Sequence, residues 1–227
     1  MRGESQGCSP LVPRGLHPWG MEDFAIFASC ENLSLMPSLK IKAPIEPGCT
    51  YHIYNRGSNY QNVFFRKDDY QLFLDRLKHY MTDCCSIYAF ALLPNHYHLL
   101  LQVNEESQNP EFSNQYAKFI LSYTNRINFR ERRNGSLFLN YFRRIKVDDE
   151  GYLKKLIFYI HFNPEKHGIT GNFRTYSFCS YKIFLSNSPT DLERDVVLDW
   201  FDGLENFIGY HELAYEVNLL RKLALEI

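Results

Sequence analysis

The feature that most constrains this chain is a pair of β-prone runs, 86–92 and 96–103, separated only by a turn built on Pro94-Asn95. Proline presets one turn dihedral and asparagine tolerates the tight backbone, so the runs must fold back as adjacent antiparallel strands. The rest of the pattern arranges itself around this hairpin. Residues 50–55 alternate and end at Arg56-Gly57, the mark of a first strand. Asp68 or Asp69 is placed to cap a helix with an apolar stripe of Tyr70, Leu72, Phe73, Leu77 and Tyr80. After the hairpin, Phe112, Tyr116, Phe119, Ile120, Tyr123 and Ile127 recur at helical spacing over about 112–129. Residues 137–147 are strand-like around Phe138, Tyr141 and Ile145. Asp148 or Asp149 then caps a helix carrying Leu153, Leu156, Ile157 and Ile160, expected to close at Pro164. The order is βαββαβ plus one helix. It predicts an α+β fold, a ferredoxin-like antiparallel sheet with an added helix, its helices expected on one face.

At 227 residues and 45% hydrophobic content, the chain is large enough for one domain with a true core, or a domain and an appendage. Residues 1–48 are rich in Gly, Pro and Ser without periodicity and are expected to be an irregular extension, with Met21 as an alternative start. Residues 49–185 form the ordered body, and 186–227 an acidic, partly helical tail. Cys8, Cys30, Cys49, Cys84, Cys85 and Cys179 match no CxxC pair and are read as reduced thiols of a cytoplasmic protein. No apolar stretch is long enough to span a membrane, and no signal-peptide pattern opens the chain.

A net charge of −1 excludes a global basic field. The charges are nevertheless segregated. Arg126, Arg130, Arg132, Arg133, Arg143, Arg144 and Lys146 cluster with only Glu131 among them, whereas Asp191, Glu193, Asp195, Asp199, Asp202, Glu205, Glu212 and Glu216 dominate the tail. Such a basic stretch, with Tyr141 and Phe142 interleaved, suits the phosphates and bases of a single-stranded nucleic acid. It suits equally a charged helix end and loop exposed to water.

Two further groups carry chemistry. In His96-Tyr97-His98 the imidazoles share one face of a strand and Tyr97 points to the other, into packing. Two neutral imidazoles so placed can hold a divalent metal. Tyr159 and Asn163 are four apart on the last helix and share a face. The Asn163 amide oxygen could complete a metal shell with His96 and His98, with Tyr159 one turn back above it. An isolated HxH or a helical tyrosine is usually only packing.

Taken together, these residues resemble the REP-associated tyrosine transposases, a branch of the single-tyrosine HUH transposases. The matching segments are Tyr51-His52-Ile53-Tyr54-Asn55-Arg56-Gly57, Leu93-Pro94-Asn95-His96-Tyr97-His98-Leu99-Leu100, Gly135-Ser136-Leu137-Phe138 and Tyr159-Ile160-His161-Phe162-Asn163-Pro164. Tyr176-Ser177-Phe178-Cys179-Ser180-Tyr181 is similar to the family's Tyr-x-x-Ser-Ser-Tyr, with Cys179 replacing the first serine. The resemblance covers roughly residues 49–211. It implies an HUH endonuclease architecture in which the added helix is catalytic. It also implies that His96, His98 and Asn163 bind Mg²⁺ or Mn²⁺ and that Tyr159 is the nucleophile. Tyr97 departs mildly from the bulky apolar residue usual between the histidines, and His161 takes no ligand role. The implied activity is metal-dependent cleavage and transfer of single-stranded DNA beside REP-like hairpins, through a covalent 5′-phosphotyrosine. Arg56 joins the basic cluster as a candidate DNA contact. The family includes both monomers and dimers.

Two other readings compete. One is a non-catalytic, domesticated nucleic-acid-binding protein on the same scaffold. The other is a zinc hydrolase using His96, His98 and a third strong ligand such as a cysteine, with a metal-bound water and no covalent protein–DNA adduct.

Overall fold

A computed structural model describes residues 43–107 and 109–225. Most of the 1–48 extension therefore lies outside the described residues. The elements are β1 (Thr50–Arg56), α1 (Lys67–Met81), β2 (Cys85–Leu93), β3 (His96–Val103), α2 (Asn109–Arg130), β4 (Arg143–Val147), α3 (Glu150–Lys166), α4 (Tyr181–Phe184), α5 (Arg194–Trp200) and α6 (Leu204–Leu225). The four strands form one antiparallel sheet in the order β2-β3-β1-β4. This is the ferredoxin-like α+β arrangement, with β1 and β3 central.

The two-residue turn at Pro94-Asn95 fixes the register of β2 on β3, pairing Leu93 with His96 and Leu92 with Tyr97. A bulge at Ile87/Ala89 interrupts β2, and Tyr88 and Ala89 both enter the core on the α3 side. α1 and α2 pack together against one face. Their stripes of Tyr70, Phe73 and Leu77 and of Phe112, Tyr116, Phe119, Tyr123 and Ile127 are buried against Tyr51, Ile53, Tyr97, Leu99 and Leu101. Phe73 is the hub, its ring within 4.8–5.2 Å of the Phe119, Tyr97 and Tyr123 rings. Each such ring contributes about 2 kcal/mol by leaving water.

Five details differ from expectation. The helices do not share one face: α3, α4, α5 and α6 cover the opposite side, in a second core of Leu100, Leu156, Ile160, Phe173, Trp200 and Phe207. A sheet whose strands are apolar on both sides requires this cover. Asp69 caps α1 from inside its first turn rather than from the position before it, its Oδ2 accepting the Phe65 and Arg66 amides at 2.8 and 2.9 Å. Only 143–147 of the strand-like stretch 137–147 joins the sheet, while Phe138 makes a single bridge to Gly57. Pro164 does not end α3, which runs on to Lys166. Its missing amide costs only the bond to the carbonyl four residues back, and Ile169 N closes the end by donating to Pro164 O. Lastly, Cys84, Cys85 and Cys179 are free thiols, but Cys49 is disulfide-bonded. Asp149 caps α3 as expected, its Oδ1 accepting Tyr152 N.

The acidic segment is not a loose tail. Phe207, Tyr210, His211 and Ala214 of α6 are buried, and Glu212 pairs with Arg174. α6 is also joined to α3 by a buried polar chain. His211 Nδ1 donates to Phe207 O, which leaves its Nε2 to accept from His161 Nδ1 at 2.9 Å. His161 Nε2 then accepts from Ser180 Oγ, which in turn receives the Phe90 amide of β2. With both imidazoles neutral, every group in this chain has a partner.

Burial holds the His211 imidazole down at about 3 and His161 well below the usual 6.5. The unfolded chain takes up protons below 6.5 that the folded chain refuses. Stability is therefore complete above 6.5 and falls as pH drops toward 3, by on the order of 1 kcal/mol per pH unit for each imidazole. Urea midpoints should fall steeply between pH 7 and pH 5, and a flat profile would contradict the neutral pair.

Candidate functional site

Strand alternation sets the site. Thr50, His52, Tyr54 and Arg56 of β1 lie opposite Gln102, Leu100, His98 and His96 of β3, all on the α3 face. Tyr97 points the other way, fully buried, with its hydroxyl bonded to that of Tyr116. The imidazoles of His96 and His98 are 5.2 Å apart, centre to centre, and nearly perpendicular.

Each histidine has one ring nitrogen engaged. His96 Nδ1 lies 2.6 Å from Asn95 Oδ1, and His98 Nδ1 lies 2.9 Å from His52 Nε2. The Nε2 of each is thus the nitrogen left to coordinate, oriented by a partner behind it. Both rings are held neutral. Burial, then the positive neighbours His167 and Arg56, lowers His96 to about 4; burial, then His52, takes His98 well below the usual range. Neutral imidazole is the form that binds metals.

α3 supplies the roof. The Tyr159 ring stands edge-on to His98 at 5.8 Å and to His52 at 6.4 Å. Lys166 Nζ lies 4.9 Å from the centre of the Tyr159 ring, and His167 meets His96 edge-on at 4.9 Å. One turn after Tyr159, the buried Asn163 donates from Nδ2 to Tyr159 O at 2.8 Å, which turns its Oδ1 away from the helix backbone. That Oδ1 is buried and has no hydrogen-bond partner. An orphaned buried carbonyl is costly unless something else satisfies it. Two imidazole nitrogens and one amide oxygen suit a divalent cation with open coordination positions. Among the described residues, no cluster of three or more His, Cys, Asp or Glu could hold a metal, so the strong third ligand of a zinc hydrolase is not found there.

The basic residues separate by position. Arg56 and Arg143 lie on the histidine face, Arg143 being opposite Tyr54 and 5.9 Å from its ring. Arg144 and Lys146 alternate to the other face. Arg144 Nε donates to Ala43 O at 2.5 Å and Lys146 pairs with Glu46. Arg126 and Arg132 are exposed near the end of α2, and Arg133 donates to Gln61. Arg130 forms a two-pronged pair with the fully buried Asp69 and also bonds Glu131. Sequence reading assigned no role to His52, His167 or Tyr54. A histidine within the alternating run of β1 was the available signal for His52, but its meaning depends on the 52–98 pairing across 46 residues.

No protein-family model and no curated protein matches the chain. Among solved structures, it is similar to a REP-associated tyrosine transposase bound to a REP hairpin. The identity is 19% and the TM-score 0.56, over 71% of this chain and 93% of that one. At that identity the likeness shows a shared fold.

Burial alone would raise the Asp69 carboxyl, but Arg130 and two backbone amides outweigh it and hold it below its ordinary value. Arg130→Ala would leave a buried carboxylate without its cation. The variant should lose about 3 kcal/mol in urea unfolding, and an unchanged midpoint would show that the pair adds no stability.

Proposed function

We propose that this chain is a metal-dependent, single-tyrosine endonuclease and strand transferase acting on single-stranded DNA beside hairpins. The observation that carries this reading is the grouping of Tyr159 with two neutral, back-bonded imidazoles, one helical turn before the unpaired Oδ1 of Asn163. The solved structure of similar fold holds a REP hairpin, which supports a hairpin-bearing partner.

His96 Nε2, His98 Nε2 and Asn163 Oδ1 would hold Mg²⁺ or Mn²⁺. The ion would supply charge to polarise the scissile phosphate. Tyr159 Oη attacks phosphorus in line and gives up its phenolic proton. The P–O3′ bond breaks, and the departing oxygen takes a proton to become a 3′-hydroxyl. The 5′ phosphate remains joined to Tyr159. A second 3′-hydroxyl can then attack the same phosphorus, displace the tyrosine oxygen and rejoin strands without an external energy source. Asn163 ties itself to the Tyr159 carbonyl, so nucleophile and ligand are placed by the same turn of helix.

Three measurements test this reading. A denaturing gel with labelled hairpin DNA should show a protein–DNA adduct that needs Mg²⁺ or Mn²⁺ and disappears in Tyr159→Phe. Adduct formation by that variant would remove Tyr159 from the mechanism, and binding without any adduct would favour the domesticated binding protein. His52→Ala, which removes the partner behind His98, should weaken Mn²⁺ binding about 10- to 100-fold by titration calorimetry; unaltered affinity would show that His98 needs no support. Arg143→Ala should reduce the salt dependence of DNA binding by about 0.7 in log–log slope. Arg144→Ala, on the other face, should change it less, and the reverse order would misplace the strand path.

A further inference from the structure

We infer that Tyr60, backed by Arg56, is a stacking platform for one unstacked nucleobase next to the candidate catalytic centre. The inference rests on the single-strand reading above and adds to it where a base is gripped.

The segment after β1 is tightly constrained. Gly57 N donates to Asn95 O at 2.8 Å, tying the turn to the hairpin that carries His96. The chain then doubles back so closely that a Cβ on Gly57 would lie 2.1 Å from Gln61 O. Only glycine permits that approach. Ser58 is bonded by its amide to Leu137 O and by its hydroxyl to Phe138 O, and Gln61 Nε2 reaches Ser136 O and Leu137 O. Arg133 Nη2 donates to Gln61 Oε1 at 2.6 Å.

Within this frame, Asn59 and Tyr60 are consecutive left-handed residues, with φ of 54° and 59°. That conformation is unfavourable for tyrosine. Burial does not offset it, because Tyr60 is 68% exposed. The turn holds a large aromatic ring out in solvent at a conformational cost, and strain of this kind clusters at functional positions. One side of the ring is covered: the Arg56 guanidinium lies 3.9 Å from its centre. Arg56 is also the register partner of His96, so the stack stands on the strand next to the candidate ligand.

An exposed ring with a cation behind it fits an unpaired base, which adds one more layer to the stack. Phe129 and Tyr141 are also exposed, but neither combines a strained, multiply bonded turn with an arginine in register with His96.

The experiment uses the full chain and single-stranded hairpin oligonucleotides carrying 2-aminopurine at each flanking position in turn. Tyr60→Asn removes the ring while keeping a residue that tolerates the left-handed backbone, and Tyr60→Trp keeps a ring. With wild type and Tyr60→Trp, fluorescence at one flanking position should be quenched on binding. In Tyr60→Asn that quench should disappear and affinity should fall roughly 5- to 100-fold, with the salt slope unchanged because no phosphate contact is lost. Equal quenching and affinity in Tyr60→Asn would overturn the platform while leaving the single-strand reading intact. Failure of the wild type to bind any single strand would overturn both.

Discussion

Strand β3 can bury only if two different faces are ready to receive its alternate residues, and the rest of the molecule follows from that requirement. Tyr97, Leu99 and Leu101 enter the core under α1 and α2, whereas His98 and Leu100 face α3. With both faces covered, a register slip of one residue would bring the imidazoles under Phe73 and expel Tyr97 from its bond to Tyr116. The two-residue turn at Pro94-Asn95 and the pairing with β1 exclude that slip. The stability of the sheet and the placement of the histidines are one constraint.

α3 meets the sheet with the same economy. Tyr159 and Asn163 share the side facing the imidazoles, and His161, between them, points to the second core. There it joins Ser180 and His211 in a buried chain reaching α6. The motif Tyr-Ile-His-Phe-Asn-Pro therefore contains a candidate chemical face and an anchoring face, alternating as helical geometry demands. The acidic C-terminal segment holds this helix from behind; Arg174–Glu212 and Glu165–Tyr215 fasten the same junction.

Local periodicity made much of this legible. The stripes of α1, α2 and α3 are buried nearly as read, and the hairpin falls where Pro94-Asn95 puts it. The face shared by His96 and His98, the reversal of Tyr97 and the cap at Asp149 follow from strand and helix geometry alone. Whatever depended on distant partners was hidden. The second layer of helices could not be inferred, because the acidic residues of 186–216 mask the few large apolar ones that pack. Arg130 looked like its basic neighbours until Asp69, 61 residues away, claimed it. The roles of His52 and Tyr60 depend on distant partners: one matters through its bond to His98, the other through a strained turn closed by residues 136–138.

The two rims of the sheet are defended differently. At β2, the segment around Cys179 and Leu192 lies along the strand and takes up its outer backbone groups, with bridges from Ala91 to Cys179 and from Ile87 to Leu192. At β4, which among the described residues pairs with β1 alone, the outer rim carries Arg143, Arg144 and Lys146. Like charges on an edge strand repel the same edge of another copy. The cations of β4 therefore act as gatekeepers against edge-to-edge aggregation. A chain stripped of them would be expected to leave solution by self-association.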